Sequence, residues 1–397
     1  MLELSEIYKA AHVLRNAIRH PHLIVAPLIN PECEIYLKPE NLQYTGSFKL
    51  RGAYYKISQL SDEEKSHGVI ACSAGNHAQG VALAATKSGI SSLICLPENA
   101  PLSKVEATKG FGAEVCLVPG VYDDAYNKAL ELKEKHGYTF VHPFDDENVI
   151  AGQGTIGLEI LNELDDLDAV IVPIGGGGLI AGIAFAIKSL RPSVKVYGVQ
   201  AAGAPSMYYS IKDGQIGTLE SVSTIADGIA VKRPGDLTYE LVSKYVDDIA
   251  TVTEDEICAA ILKLIEKQKM IAEGAGAVSV AAAMFSKFPI QGKKVVSVIS
   301  GGNIDVTSLS RVIERGLMKS GRIATLMIEL ADMPGRLKDV SRIIADCGGN
   351  ITDVHHERGN TQNVKDCFLR VDMETRNYEH VEQIKQALQA EGFHIVG

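Results

Sequence analysis

The sequence lacks several features that mark common functional classes. It has no dense run of lysine or arginine, and its formal net charge is −10. Nothing would therefore offset phosphate repulsion, which argues against a nucleic-acid-binding surface. Its apolar stretches are broken by glycine or charge well short of a membrane span. The first eleven residues carry two glutamates and no long apolar core, unlike a signal peptide. We therefore expect a cytoplasmic protein.

The seven cysteines show no pattern of their own. No two of them have the spacing of a metal site, and their number is odd, which favours free thiols in a reducing compartment. The only adjacent histidines are His355 and His356. Neighbours on a strand point to opposite faces, so a joint metal site there is improbable. We predict no bound metal.

The chain's 397 residues are enough for two or three domains. Between about 21 and 312, short apolar strands such as 69–72 alternate with helices such as 79–88. An N-capping threonine followed by three acidic residues predicts a helix over 254–269. This rhythm predicts an α/β fold with a parallel sheet covered on both faces. Residues 322–397 change to the order strand, helix, two strands, helix and strand, which predicts a ferredoxin-like βαββαβ module.

Lys49 is the most informative residue, because it stands between Phe48 and Leu50, where a lysine is either half-buried or a nucleophile. Far along the chain, four glycines separate an apolar strand from an apolar helix. Such a tract can hold a phosphate through backbone N–H groups, although a tight turn explains it equally well on its own. An amine and a phosphate cradle together indicate pyridoxal phosphate as cofactor. The four candidate phosphate ligands are Gly175, Gly176, Gly177 and Gly178.

A second loop suited to an anionic ligand follows the predicted strand 69–72. Its N–H groups could bind a substrate carboxylate, and Asn76 could hydrogen-bond the phenolic oxygen of the cofactor. The alternative is an ordinary helix cap, which is the better explanation of the loop by itself. His77 is more readily structural than an acid or base. The substrate-binding candidates are Ser73, Ala74, Gly75, Asn76 and His77.

A third loop begins at Ser300, after the predicted strand 295–299. The serine hydroxyl could meet the pyridine nitrogen of the cofactor or, alternatively, cap a helix. Unlike a carboxylate, a hydroxyl there would let the nitrogen stay unprotonated, so the ring would stabilise a carbanion less. That favours prompt loss of a β-leaving group. Elimination of water from a hydroxy-amino acid is the natural reaction.

In order and spacing, the segments around Lys49, Ser73, the four glycines and Ser300 resemble the fold-type II pyridoxal-phosphate enzymes. Within them, the chain is most similar to the threonine dehydratases and their relatives, the serine racemases. The resemblance covers roughly residues 5–315, and its motifs are specific together although each is weak alone. It also suggests that segment 151–155 lies near the substrate.

The resemblance implies a fold and a set of roles. The fold has two parallel-sheet subdomains within a catalytic domain at 1–316, the small subdomain lying at about 46–148. Lys49 would bond to the cofactor and, once freed, remove the α-proton of the substrate. Phe48 would pack beside the pyridine ring, and Gly228 would allow a close backbone approach to the cofactor.

Two positions depart from the serine racemases. A racemase has a second acid on the opposite face of the substrate, and here that position is Ala74, which cannot transfer a proton. The stretch 200–206, comparable to the divalent-metal site of eukaryotic racemases, has no carboxylate. The resemblance thus favours a dehydratase that converts threonine to 2-oxobutanoate, with some activity on serine. The alternatives are a serine dehydratase or serine racemase-like enzyme, a β-replacing enzyme such as a cysteine synthase, and a catalytically dead amino-acid sensor.

Residues 322–397 resemble an ACT domain, a regulatory amino-acid-binding module. Backbone groups around Pro334, Gly335 and Leu337, together with Asn350, would hold an amino acid between paired modules. The alternative is a small domain that only oligomerises. The family likeness suggests isoleucine as inhibitor with valine opposing it, although a shorter catabolic relative answers to nucleotides. A homodimer or homotetramer is the default expectation for enzymes of this kind.

Overall fold

The computed structural model describes residues 2–358 and 365–396 and divides the chain into two units between Asp305 and Val306. Residues 1, 359–364 and 397 of the predicted domains lie outside the described residues. Within the described part, no helix is both long and apolar enough to span a membrane.

The strands of the first unit are β1 Ile24–Val25, β2 Glu34–Pro39, β3 Val69–Cys72, β4 Ser92–Pro97, β5 Glu114–Val118, β6 Thr139–Phe140, β7 Ala169–Pro173, β8 Lys195–Ala201, β9 Asp248–Val252 and β10 Lys294–Ile299. Its helices are α1 Leu4–Leu14, α2 Lys49–Ser58, α3 Asp62–His67, α4 Asn76–Lys87, α5 Leu102–Gly110, α6 Tyr122–His136, α7 Glu147–Glu163, α8 Gly178–Leu190, α9 Ser206–Asp213, α10 Asp236–Tyr245, α11 Glu254–Lys263 and α12 Gly274–Met284. Short 3-10 turns lie at Glu40–Leu42 and Asp227–Ile229, and a π-helical turn lies at Leu264–Gln268.

Two sheets organise the first unit. The larger has the order β1-β2-β10-β7-β8-β9 and is parallel except for β1, and the smaller has the order β5-β4-β3-β6 and is parallel throughout. All residues of β3 and β7 are buried, as expected for parallel strands covered on both faces. The predicted α/β fold with two parallel-sheet subdomains is confirmed.

Close helix packing holds the first unit together around α7. A Cβ on Gly152 would lie 2.6 Å from the Gly52 Cα atom of α2, and a Cβ on Gly182 of α8 would lie 2.3 Å from the Ile150 carbonyl oxygen. No side chain larger than hydrogen fits at either contact. The glycines therefore let α7 pack against α2 on one side and α8 on the other.

The second unit consists of α13 Val306–Lys319, β11 Ile323–Ala331, α14 Arg336–Asp346, β12 Asn350–Glu357, β13 Asp366–Glu374, α15 Tyr378–Ala390 and β14 His394–Val396. Its antiparallel sheet has the order β12-β13-β11-β14, which is the ferredoxin-like arrangement. Ile328, Val371 and Ile384 are buried between the sheet and its helices. The α13 helix groups with this unit, whereas the sequence-based boundary at 316 assigns most of it to the catalytic domain.

Candidate active site

A cavity of about 980 Å³ in the first unit is lined by the loops that follow β3, β7 and β10. In parallel sheets, ligands bind at the carboxyl ends of the strands. Apart from segment 151–155, the residues that the sequence predicts for cofactor or substrate line this cavity. They are Phe48, Lys49, Ser73, Ala74, Gly75, Asn76, His77, Gly175, Gly176, Gly177, Gly178, Gly228 and Ser300.

Lys49 begins α2 and places its amine in the cavity. Its Nζ atom donates a 2.7 Å hydrogen bond to the Pro143 carbonyl and lies 5.2 Å from the centre of the Phe48 ring. Burial lowers the pKa of this amine to about 8, although the nearby Glu273 carboxyl opposes the shift. A lysine with this pKa has a large neutral fraction in mildly alkaline water. The neutral amine is the form that attacks carbonyl groups and accepts protons.

The position of Lys49 is fixed by a buried ionic network on the same helix. The fully buried Arg51 guanidinium donates to both oxygens of Glu40 at 2.8 Å and to the two oxygens of Glu159 at 2.7 and 2.8 Å. Glu159 belongs to α7, and the nearby Arg51 charge helps to keep the pKa of this carboxyl below its usual range. The network therefore joins α2 to α7.

The glycine tract has the geometry of an anion cradle. Gly177 has a φ of +101°, a left-handed conformation that favours glycine, and it caps the N-terminus of α8. A Cβ on Gly176 would lie 2.4 Å from the Phe144 ring. Across residues 2–358 and 365–396, the N–H groups of the four glycines have no backbone acceptor. Free donors at a helix N-terminus suit a phosphate, so these residues fit the predicted cofactor.

Asn76 begins α4 and is held at both ends of its amide. Its Nδ2 group donates to Glu273 Oε1 at 2.6 Å, and its Oδ1 atom accepts from Asn303 Nδ2 at 2.8 Å. Asn303 also donates to the Thr45 carbonyl at 2.7 Å. Burial, followed by the Asp227 charge, raises the pKa of the Glu273 carboxyl to about 8.

Sequence reasoning missed Glu273 and did not single out the role of Asn303. Asn303 stands in the same loop as Ser300, so its place at the strand end was a usable signal. Glu273 precedes a run of glycine, alanine and valine that forms the buried helix α12. An acidic residue at the start of an apolar helix indicates a favourable interaction with the positive end of the helix dipole. No neighbouring residue in the sequence indicates that it lies beside Asn76.

Ser300 and Gly228 are the remaining residues predicted to meet the cofactor. Ser300 is 3% exposed, and its hydroxyl donates to the Ala275 carbonyl at 3.3 Å. Gly228 lies in the Asp227–Ile229 turn, where a Cβ would lie 3.1 Å from the Ala275 side chain. The hydroxyl is a neutral group, as the sequence-based interpretation of the pyridine nitrogen requires.

His77 is a fixed, neutral ring in the structure. Its Nε2 atom lies 2.8 Å from the Val141 carbonyl, and burial lowers the pKa of the imidazole to about 3. A ring that stays neutral and donates to a backbone carbonyl supports the loop without transferring protons. Ala74 lines the cavity beside it and brings no acid or base to that position.

The expectation that segment 151–155 lies near the substrate is wrong. These residues lie within α7, are buried, and are not among the residues that line the cavity. Their small side chains serve the helix contacts described above, with a Cβ on Gly154 reaching within 2.7 Å of Ile7. The motif is therefore structural at this position.

The effector candidates lie in the second unit. Pro334 and Gly335 form the loop between β11 and α14, and Gly335 caps that helix with a φ of +97°. Leu337 is 52% exposed in the first turn of α14. Asn350 begins β12, and its Nδ2 group donates to Glu374 Oε2 at 2.9 Å.

The adjacent histidines contact different neighbours. His355 Nε2 lies 3.1 Å from Asp353 Oδ2, and His356 Nε2 lies 3.6 Å from Asp332 Oδ1. The Asp332 carboxylate is also paired with Arg358 at 2.7 Å. The two imidazoles are thus separate groups.

Comparison with known proteins agrees with this site. Residues 16–301 match the family described as pyridoxal-phosphate dependent enzyme. The chain is 50% identical over 399 residues to an L-threonine ammonia-lyase of Thermotoga maritima, covering 100% of this chain and 99% of the relative.

Two solved structures are also similar. The processed form of threonine deaminase isoform 2 from Solanum lycopersicum has a TM-score of 0.74 and 38% identity, covering 80% of this chain and 90% of that one. Maize serine racemase has a TM-score of 0.75 and 34% identity, covering 80% and 98%. The chain therefore belongs to the pyridoxal-phosphate-dependent enzymes, with pyridoxal phosphate as its cofactor.

Proposed function

We propose that this protein is an L-threonine ammonia-lyase, which converts L-threonine to 2-oxobutanoate and ammonia and also acts on L-serine. The observation that carries the proposal is the desolvated amine of Lys49 in a cavity where position 74 holds alanine rather than an acid. The likeness to the Thermotoga maritima L-threonine ammonia-lyase, at 50% identity along the whole chain, supports the same reaction.

The loop before α4 is suited to bind the carboxylate of the amino acid. It leads into the N-terminus of a 12-residue helix, where free N–H groups and the helix dipole favour an anion. A Cβ built on Gly75 meets no atom within 4 Å, so the loop leaves open space at its tip. The N–H group of Gly75 is already held by Ser73 Oγ at 3.2 Å, which shapes the turn.

Lys49 is the proposed base. When bound, pyridoxal phosphate withdraws electrons from the α-carbon of the amino acid. Lys49 Nζ, whose pKa burial lowers to about 8, takes the α-proton as a neutral amine. The neutral hydroxyl of Ser300 leaves the pyridine nitrogen without a carboxylate partner, which favours loss of the β-hydroxyl over a persistent carbanion. The final release of ammonia is a reaction with water and needs no side chain.

The test is turnover of L-threonine and L-serine by the purified protein with pyridoxal phosphate. We expect 2-oxobutanoate and ammonia in equal amounts from threonine, and pyruvate at a lower kcat/KM from serine. If neither amino acid gives a 2-oxo acid while the cofactor is bound, the proposal is wrong.

Serine racemisation is a second candidate, because the fold is similar to that of maize serine racemase at a TM-score of 0.75. Ala74 opposes it, since a two-base racemase needs a proton donor on each face of the substrate. A chiral assay of the products from L-serine separates the two reactions. We expect pyruvate and no D-serine, and D-serine formed as fast as pyruvate would favour the racemase.

The second unit is proposed to be an ACT domain that binds an amino acid, with isoleucine or valine as the effector. The first turn of α14 offers N–H groups to a carboxylate, and the exposed side chains of Met333 and Leu337, at 61% and 52%, offer apolar contact. We further propose a cytoplasmic homodimer or homotetramer, in which such modules would pair. Sedimentation analysis with and without isoleucine tests the oligomeric state. A monomer under all conditions would contradict the pairing.

A further inference from the structure

Glu273 is a buried acid that the proposed reaction does not yet use. Its side chain is 4% exposed and lines the cavity. In the described part of the chain it forms no salt bridge, although buried carboxyls are usually paired with a cation. Its polar contact is the 2.6 Å hydrogen bond from Asn76 Nδ2.

We infer that Glu273 is a positioning residue, which fixes the Asn76 amide so that one N–H group faces the cofactor. Asn76 Oδ1 is occupied by Asn303 Nδ2 at 2.8 Å, and one hydrogen of Asn76 Nδ2 goes to Glu273. The second hydrogen of that amide is then the donor left for a ligand in the cavity. Turning the amide over would bring NH2 against NH2 at Asn303, whose own NH2 group is held by the Thr45 carbonyl, so one orientation is favoured.

The surrounding backbone is built to accept this carboxyl. Glu273 N donates to the Gly301 carbonyl at 3.1 Å, which ties the start of α12 to the loop after β10. A Cβ on Gly301 would lie 2.3 Å from Glu273 Oε1, and one on Gly228 would lie 3.5 Å from it. Glycine at position 301 therefore leaves the space that the carboxyl occupies, whereas a Cβ at position 228 would make only an ordinary contact with it.

Burial, and after it the charge of Asp227 on the neighbouring turn, raises the pKa of the Glu273 carboxyl to about 8 and favours its neutral form near pH 7. The hydrogen bond from Asn76 and the charges of Lys104 on α5 and Lys49 on α2 act in the opposite direction. A protonated Glu273 still accepts from Asn76 through its carbonyl oxygen. It adds no negative charge beside the cofactor until the pH rises above about 8.

Three variants test the inference in the full-length holoenzyme, with turnover read under the proposed function. E273L has a side chain of similar size without an acceptor for the Asn76 N–H group, E273D shortens the side chain by one methylene, and N303A removes the partner at the other end of the amide. The control is E131Q, since Glu131 is exposed on α6 and, among the described residues, pairs with the surface Lys128. The readouts are the Kd for pyridoxal phosphate, the pH titration of the bound cofactor's absorbance, and kcat and KM for L-threonine.

We expect E273L and N303A to bind pyridoxal phosphate about tenfold more weakly, the size of effect of one lost oriented hydrogen bond. Ionisation of Glu273 near pH 8 should change the absorbance of the bound cofactor, and this change should be lost in E273L and partly restored in E273D. E131Q should match the wild type. Wild-type Kd and wild-type absorbance titration in both E273L and N303A would overturn the inference.

The cofactor readouts are independent of the substrate. If the wild type turns over no threonine but E273L still changes the Kd and the absorbance titration, the proposed function fails and the inference stands. If E273L does not fold, E273D and N303A decide by the same measurements. Unchanged values in those two variants would overturn the inference even with normal threonine turnover in the wild type.

Discussion

At the scale of single residues, desolvation separates Lys49 from a surface lysine such as Lys128. Lys128 pairs with Glu131 on the surface, and its pKa is raised. Lys49 lies in the cavity, hydrogen-bonded to a neutral carbonyl, so desolvation dominates and its pKa falls to about 8. The same residue type is therefore a surface charge in one place and the proposed nucleophile in the other.

Lys49→Ala should abolish turnover and leave the fold intact. The variant loses the amine that bonds to the cofactor and takes the α-proton, while alanine is well tolerated at a helix N-terminus. The measurements are 2-oxo acid formation, the absorbance of protein-bound cofactor and the circular dichroism spectrum. Lys56→Ala is the control, because Lys56 lies on the same helix, pairs with Asp146 and does not line the cavity. Near-normal turnover in Lys49→Ala would show that Lys49 is not the proposed base.

The rate at which the apo-protein takes up pyridoxal phosphate should rise with pH up to about 8. The Lys49 amine is protonated below its lowered pKa of about 8 and neutral above it, and only the neutral form attacks the carbonyl. The rate should thus change roughly tenfold per pH unit below about pH 7.5 and level off above about pH 9. Stopped-flow absorbance checks this. A rate still climbing steeply above pH 9 would indicate an ordinary, solvated lysine.

At the scale of elements, α2 is held by a charge network that was not visible in the sequence. Arg51 meets Glu40 within its own segment of the chain, but it also meets Glu159, which is 108 positions away. The hydrogen bonds satisfy a fully buried guanidinium. Removing the guanidinium would leave two carboxylates without their main partner.

Arg51→Ala should therefore lower the free energy of unfolding by about 3–5 kcal/mol, the cost of leaving buried charge uncompensated. Chemical denaturation of the apo-protein measures it. The matched change at an exposed pair is Arg342→Ala, since Arg342 and Asp346 are 53% and 68% exposed. That variant should cost less than about 1 kcal/mol. Equal effects for the two arginines would show that the buried network contributes little.

Gly176→Ala should weaken cofactor binding about tenfold or more, since a Cβ there would lie 2.4 Å from the Phe144 ring and overpacking costs about 1–3 kcal/mol. A titration of the apo-protein with pyridoxal phosphate gives the Kd. Gly110→Ala is the control, because a Cβ at Gly110, the last residue of α5, meets no atom within 4 Å. An unchanged Kd in Gly176→Ala would remove the tract from the phosphate site.

Local rules predicted several elements well and misplaced some of their ends. The strand 69–72 is found as predicted, and Thr253 caps α11 by accepting from Glu256 N in a capping box. The helix predicted over 79–88 begins three residues earlier, at Asn76, whose side chain is held by the distant residues Glu273 and Asn303, contacts that local propensity does not include. The helix predicted over 254–269 becomes π-helical at Leu264.

At the scale of the whole molecule, the two units carry separate proposed tasks. The first unit holds the cavity, which is lined by the predicted cofactor and substrate residues other than segment 151–155. The second holds the predicted effector loop, next to exposed apolar side chains. Regulation requires that an effector bind one state of the enzyme better than another.

Leu337→Ser should weaken the response to isoleucine by about tenfold in concentration, because it removes apolar contact from the predicted effector loop, and basal turnover should stay unchanged. Threonine turnover against isoleucine concentration measures the effect. Val306→Ser is the control, since Val306 is 79% exposed and belongs to the same unit. An identical isoleucine response in Leu337→Ser and the wild type would place the effector elsewhere.

The sequence by itself determined the order of elements, the family resemblance and the candidates Lys49, the glycine tract and Ser300. Those signals are local, because periodicity, capping and glycine turns depend on a few neighbouring residues. Only the tertiary structure decided that Glu273 holds Asn76 across 197 positions, and that segment 151–155 packs helices rather than facing the cavity. Contacts and pKa shifts of this kind arise from burial, which exists only once distant segments have come together.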